Sequence, residues 1–201
     1  MNSAVVRIKQ VEFMQSAGAA GNYPDHERPE FAFAGRSNCG KSSLINTLVN
    51  RRRLARVSST PGRTQLINFF DVDGRLVLVD LPGFGFARAP LAVRASWGPL
   101  VERYLTRREC LRALVLLLDA RRDPRDDEFN LVSWCGNRDL PVIHVATKID
   151  KLKAANRPLR LREIARAFAI PLRALVPFSS VSGEGRDELW SRLTIPRTPV
   201  L

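Results

Sequence analysis

Gly35-Arg36-Ser37-Asn38-Cys39-Gly40-Lys41-Ser42 satisfies G-x-x-x-x-G-K-[ST] at every fixed position. A run of this kind binds phosphate for direct physical reasons. Two glycines let the backbone curl until successive N–H groups point inward at anionic oxygens. A helix opening at Lys41 adds the positive end of its dipole. The Lys41 ammonium can reach terminal phosphate oxygens, and the Ser42 hydroxyl can ligate Mg²⁺. The flanks suit the chemistry. Phe31-Ala32-Phe33-Ala34 is a short apolar strand, and Ser43 onward places apolar residues at 44, 45, 48 and 49, a helical stripe.

A phosphate loop alone does not separate ATP from GTP, and other segments must decide. Asp80-Leu81-Pro82-Gly83 fits D-x-x-G at a strand end. There the carboxylate can hold a Mg²⁺-bound water, and the glycine N–H can meet the γ-phosphate. Thr147-Lys148-Ile149-Asp150 fits [NT]-K-x-D at another strand end. A carboxylate at Asp150 can accept hydrogen bonds from guanine N1–H and the exocyclic amine. Adenine has no such edge and would leave a desolvated carboxylate unpaired. The Lys148 stem can lie over the base plane. Phe178-Ser179-Ser180 ends a further strand, where a backbone N–H could meet guanine O6. Ser58-Ser59-Thr60-Pro61-Gly62-Arg63-Thr64-Gln65 joins the first helix to the second strand. Thr60 and Thr64 both qualify as Mg²⁺ ligands on chemical grounds. The order and spacing of these segments are those of a GTPase. Two other classes stand beside it: a P-loop ATPase or small-molecule kinase, and an RNA-binding module with a vestigial nucleotide site. The Thr-Lys-x-Asp run disfavours the first, and the intact lysine, serine and aspartate set disfavours the second.

The elements that position these loops follow from hydrophobic pattern. Strand-like runs recur at 31–34, 66–72, 76–80, 113–119, 142–147 and 174–178. Helical patterns cover about 42–50, 96–108, 125–136, 157–169 and 185–193. Strands alternating with helices predict an α/β fold: a doubly wound, mostly parallel six-stranded sheet with helices on both faces. Asp73-Gly74 between 66–72 and 76–80 predicts a hairpin, the one antiparallel pair. Val5 to Phe13 is a candidate extra edge strand, and residues 16–30 read as irregular connection. The expectation is one GTPase domain over 1–201, with an irregular segment 1–30 and a short tail 195–201 marked by Pro196 and Pro199.

Composition narrows the partners. The longest core-like apolar run, Ala113 to Leu118, is far too short to span a bilayer. No apolar h-region near the start suggests a signal peptide, so a cytoplasmic protein without membrane contact is expected. Cys39, Cys110 and Cys135 are scattered without a C-x-x-C, which argues against a disulfide framework or zinc. His26 and His144 are far apart, and His144 reads as packed within a strand. The net charge is +12. Residues 36–70 carry Arg36, Lys41, Arg51, Arg52, Arg53, Arg56 and Arg63 with no acidic residue. Residues 151–178 carry Lys151, Lys153, Arg157, Arg160, Arg162, Arg166 and Arg173 against Glu163 alone. Two basic blocks on an otherwise balanced chain point to contact with a polyanion such as RNA.

Taken together, Gly35 to Ser42, Thr60-Pro-Gly-Arg-Thr-Gln-Leu-Ile-Asn68, Asp80-Leu-Pro-Gly-Phe-Gly-Phe-Ala87, Thr147 to Asp150 and Phe178 to Ser180 resemble the EngB (YihA/YsxC) family of bacterial ribosome-biogenesis GTPases, in the TrmE–Era group. The resemblance covers nearly the whole length. It implies a monomeric GTPase acting with Mg²⁺ on GTP, in assembly of the large ribosomal subunit and in contact with ribosomal RNA. It also implies a link to normal septation. Carried over by position, Ser42 and Thr64 would ligate Mg²⁺ directly, with Asp80 acting through water. Gly62, Arg63, Gln65 and Leu66 would join Thr64 at the nucleotide. Lys41, Thr64, Gly83 and Asn38 would form the catalytic set. In related GTPases an asparagine at the position of Asn38 ligates potassium, which makes K⁺ a second candidate cation. Phe84 follows Gly83 where many GTPases place a water-orienting glutamine, so slow intrinsic hydrolysis is expected. Cys39 departs from the small residue usual in the family. Near a helix N-terminus its thiol pKa would fall, predicting modest oxidant sensitivity.

Overall fold

Glu30–Gly35 (β2) is buried at every position, and its side chains alternate between two cores. Phe31 and Phe33 pack with Leu44, Ile45, Leu48, Leu189 and Trp190. Ala32 and Ala34 pack with Val101, Tyr104, Leu131, Cys135 and Ile164. A parallel strand covered on both faces must lie mid-sheet between helical layers. The computed structural model describes residues 8–18, 22–51, 54–55, 66–84 and 91–193, with only the backbone described over 91–98. The loop 58–65, with Thr60, Gly62, Arg63, Thr64 and Gln65, lies outside the described residues. So do Val5, Gly85-Phe86 and the tail 195–201.

The other strands are β1 (Val11–Ala17), β3 (Ile67–Val72), β4 (Leu76–Asp80), β5 (Leu111–Asp119), β6 (Val142–Thr147) and β7 (Leu175–Pro177). The helices are α1 (Lys41–Leu48), α2 (Leu91–Arg107), α3 (Asp126–Gly136), α4 (Arg157–Ala167) and α5 (Arg186–Leu193). The sheet order is β1-β3-β4-β2-β5-β6-β7. Helices α1 and α5 cover one face, and α2, α3 and α4 the other. The doubly wound α/β fold therefore holds. The sheet has seven strands rather than six, because β1 pairs antiparallel with β3 at one edge. That edge strand runs to Ala17, so residues 16–30 are not wholly irregular. The hairpin adds a second antiparallel pair, β3 with β4. Its turn residues Asp73 and Gly74 both have positive φ, 54° and 65°, as a type I′ turn requires.

Two anchorages hold α1 and α2. Trp190 Nε1 donates to Leu48 O at 2.8 Å, and Arg186 Nε to Leu48 O at 3.1 Å, capping the last carbonyls of α1 from α5. On the other face of the sheet, Glu30 is wholly buried. Tyr104 Oη donates to it at 2.7 Å, and Arg108 Nη2 at 2.8 Å. The same guanidinium donates to Pro24 O at 2.7 Å. Removing one partner of such a buried pair costs about 3–5 kcal/mol. The network thus fixes the end of α2 farthest from the D-x-x-G segment that precedes this helix.

Candidate functional site

The phosphate loop follows β2 without a break. Asn38 and Gly40 take positive φ, 64° and 101°, and Leu44 N donates to Gly40 O at 2.8 Å as α1 starts. Gly35 is pressed between neighbours. A Cβ there would come within 2.6 Å of Cys39 Sγ and 2.9 Å of Leu117 O, so only glycine fits. Asn38 is exposed, while Ser42 and Ser43 are half-buried in the first turn of α1.

The D-x-x-G segment is stitched to this loop by backbone bonds. Leu81 N donates to Phe33 O at 3.1 Å and Phe84 N to Gly35 O at 3.2 Å. In return, Ser37 N donates to Phe84 O at 2.9 Å. Pro82 is buried between them, and Gly83 sits beside Ser37. Lys41 Nζ is ion-paired with the Asp80 carboxylate, both side chains being mostly buried. The expected phosphate-binding lysine and the expected metal-water ligand therefore meet in this structure. Leu66, 43 % exposed just before β3, lies beside Gly18.

The Thr147–Asp150 segment is brought to the same rim. Thr147 Oγ1 donates to Cys39 O at 2.7 Å, bridging β6 to the phosphate loop. Lys148 has φ 58°, a left-handed conformation that a non-glycine residue adopts at some cost. Its Nζ donates to Asn38 O and to Asp119 Oδ2, the latter at 3.0 Å. Ile149 is buried, and its N–H donates to Phe178 O at 3.4 Å. Asp150 Oδ1 accepts from Ser179 Oγ at 2.8 Å, which turns the carboxylate before any base arrives. The Ser179 N–H is engaged with Glu184 O at 3.0 Å. Any backbone donor this loop offered to a base oxygen would therefore have to come from Ser180 or beyond. Phe178 itself is core.

The expectation for Cys39 is corrected by its burial. Cys39 is 3 % exposed, and burial pushes its thiol up to about 11, although Lys41 and the Lys41 N–H pull the other way. Desolvation of the thiolate outweighs the helix dipole. The expected oxidant sensitivity has no basis, because the nucleophilic form is suppressed. Asp119 is a site residue that no sequence motif singles out. It ends β5, 9 % exposed, and Arg121 and Lys148 hold its carboxyl down at about 2 against the opposing effect of burial. A general signal does point to it: ligands of parallel α/β sheets gather beyond the carboxyl ends of the strands.

Residues 30–148 match the model of a family described as the 50S ribosome-binding GTPases. Over 195 residues the chain is 49 % identical to the probable GTP-binding protein EngB of Syntrophotalea carbinolica, covering 97 % of this chain and 94 % of that one. The chain belongs to the EngB family of GTP-binding proteins. A solved structure of a probable EngB superposes with TM-score 0.67 at 26 % identity, over 82 % of this chain and 96 % of the other. Era in complex with MgGDPNP and nucleotides 1506–1542 of 16S ribosomal RNA has TM-score 0.64 at 24 % identity, over 88 % of this chain and 60 % of that one, a likeness of fold alone. An EngB-family chain with this domain is a GTPase, which removes the kinase and vestigial-site readings. Among the described residues, no helix is long and apolar enough to cross a membrane.

Proposed function

We propose that this EngB-family GTPase is a guanine-nucleotide switch acting in the cytoplasm in assembly of the large ribosomal subunit, and through it in normal septation. Residues 1–201 act as one GTPase domain and as a monomer. The observation that carries the reading is the meeting of four separated segments on one rim. Lys41 opens α1 after β2, Asp80 ends β4, Lys148 and Asp150 follow β6, and Ser179 follows β7; each of these side chains is already held by a protein partner.

In this reading, Gly35 to Ser43 cradle the phosphates and Asp150 accepts the guanine edge, supported by Ser179 and Ser180. On binding, Lys41 exchanges the Asp80 carboxylate for β- and γ-phosphate oxygens. That exchange would leave the Asp80 carboxylate free to hold a water of Mg²⁺, and Ser42 and Thr64 would hold the ion through their hydroxyls. These are hard oxygen donors, which suit Mg²⁺. When bound, the ion neutralises charge on the β- and γ-phosphates. Asn38 would supply the oxygen for K⁺. The Phe84 ring is buried and carries no polar group, which supports slow intrinsic hydrolysis. The family's description as 50S-binding supports the ribosomal partner, and so does the charge of +12. Contact with ribosomal RNA is also in keeping with the fold, since Era shares it and is solved with a segment of 16S ribosomal RNA.

Asp150→Asn tests the base assignment. An amide offers a donor where guanine needs an acceptor, so GDP affinity should fall by at least about 100-fold while XDP affinity rises. Calorimetry with both nucleotides measures this, and an Asn variant that still prefers GDP refutes the assignment. Gradient co-sedimentation with ribosomal subunits tests the partner, comparing GDP with a non-hydrolysable GTP analogue. Absence from the large-subunit fractions in both states would exclude it.

A further inference from the structure

Asp119 stands between the strand that carries the phosphate loop and the strand that carries Thr147–Asp150. Its Oδ1 accepts from Arg121 Nε at 2.9 Å and from the Arg121 backbone N at 3.1 Å. Its Oδ2 accepts from Arg121 Nη2 at 2.7 Å and from Lys148 Nζ at 3.0 Å. The Lys148 ammonium also donates to Asn38 O. Its stem runs across the loop, with Cε 3.5 Å from where a Cβ on Gly40 would stand. A free lysine samples many rotamers, whereas this one is tied at the backbone by φ 58° and at its tip by two acceptors.

We propose that Asp119 is a positioning residue for Lys148, holding the ammonium at the end of β5 so that the stem lies ready as the floor under the guanine ring. Arg121 acts one step further out. It saturates Oδ1 and one side of Oδ2, so the remaining lone pair of Oδ2 faces Lys148. The inference rests on the proposed reading of Lys148 as the residue under the base. Ordering completed before binding does not have to be repeated when the nucleotide arrives. The floor senses the face of the base and not its edge, so discrimination between guanine and xanthine stays with Asp150.

Asp119→Asn keeps the shape and removes the charge. It should lower GDP affinity about tenfold, chiefly through faster dissociation, with the GDP-to-XDP affinity ratio unchanged. The decisive measurement is a double-mutant cycle read by calorimetry. In a Lys148→Met background the same substitution should change GDP affinity by less than about twofold, since its target is gone. An equal tenfold loss in both backgrounds would overturn the proposal and leave Asp119 as a support for the loop after β5. Arg121→Gln keeps the carboxylate and should cost about threefold, again only while Lys148 is present. This variant carries the cycle if Asp119→Asn does not fold. A wild-type protein that binds no GDP would overturn the base-pocket reading, and this inference with it. Binding by the wild type together with additive variants would overturn this inference alone.

Discussion

Phe84 shows how one side chain can carry opposite messages in sequence and in space. In the chain it follows Gly83, where a polar group could steer water. In the fold it is 5 % exposed and packs in the core with Phe69, Leu81 and Val101. It serves as a packing residue that closes the D-x-x-G segment against the sheet, and any group that orients water must come from elsewhere. Phe84→Gln should therefore cost about 3 kcal/mol of stability, because it removes buried apolar surface and buries an amide. It should not accelerate hydrolysis. Urea unfolding and single-turnover phosphate release measure the two effects, and a faster single turnover would refute the packing role. Cys39 makes the same point about legibility. Its place before a helix is visible in the chain, and its burial is not. Motif residues 35–42, 80–83 and 147–150 were legible because the pattern itself specifies the chemistry. Asp119 was not, because a lone aspartate after an apolar run has no meaning until Lys148 is beside it.

At the scale of elements, the strands buried on both faces were the easiest to read, since Ala113 to Leu118 is continuous apolar chain. The edge strand was the hardest. Val11–Ala17 mixes exposed and half-buried positions, and a register shift between Phe13 and Gln15 breaks its two-residue period. Only pairing with β3 defines where it starts and stops. His144 on β6 is packed as its strand-like surroundings predict, 5 % exposed with its ring 5.1 Å from that of Phe168. Burial lowers its pKa to about 4 from the ordinary 6.5, although a hydrogen bond to the Val142 backbone opposes the shift. The unfolded chain then takes up the proton first as the pH falls. Stability should be full above about pH 6.5 and should fall by about 3 kcal/mol toward pH 4. His144→Phe should flatten that segment of the curve. Denaturant midpoints at half-unit steps between pH 4 and 7 check it, and an unchanged slope in the variant would assign the effect to other groups.

For the whole molecule, the basic block at 151–178 divides once it is folded. Arg157 pairs with Glu184, and Arg160 with Asp123 and Glu163. Arg162 and Arg166 stand one turn apart on the exposed side of α4, with Arg173 exposed before β7. Among the described residues, none of these three has a carboxylate partner within ion-pair distance. Replacing Arg162 and Arg166 by Glu should leave GDP affinity within about twofold. The same change should weaken co-sedimentation with the large subunit and shallow its salt dependence. Undiminished co-sedimentation would move the contact to another face. What the chain by itself determined is the set of loops whose residue types suit phosphate and guanine, and the alternation of strand and helix that puts them at strand ends. Both depend on neighbours within a few residues, where backbone geometry and hydrophobic period act. What the tertiary structure decided is which charges meet, which thiol is silenced and which arginines face outward. Lys41 finds Asp80, Thr147 finds Cys39, and Lys148 finds both Asn38 and Asp119 across long stretches of chain. Desolvation and hydrogen bonding at those meetings depend on what surrounds a group in space, and the order of residues does not carry that information.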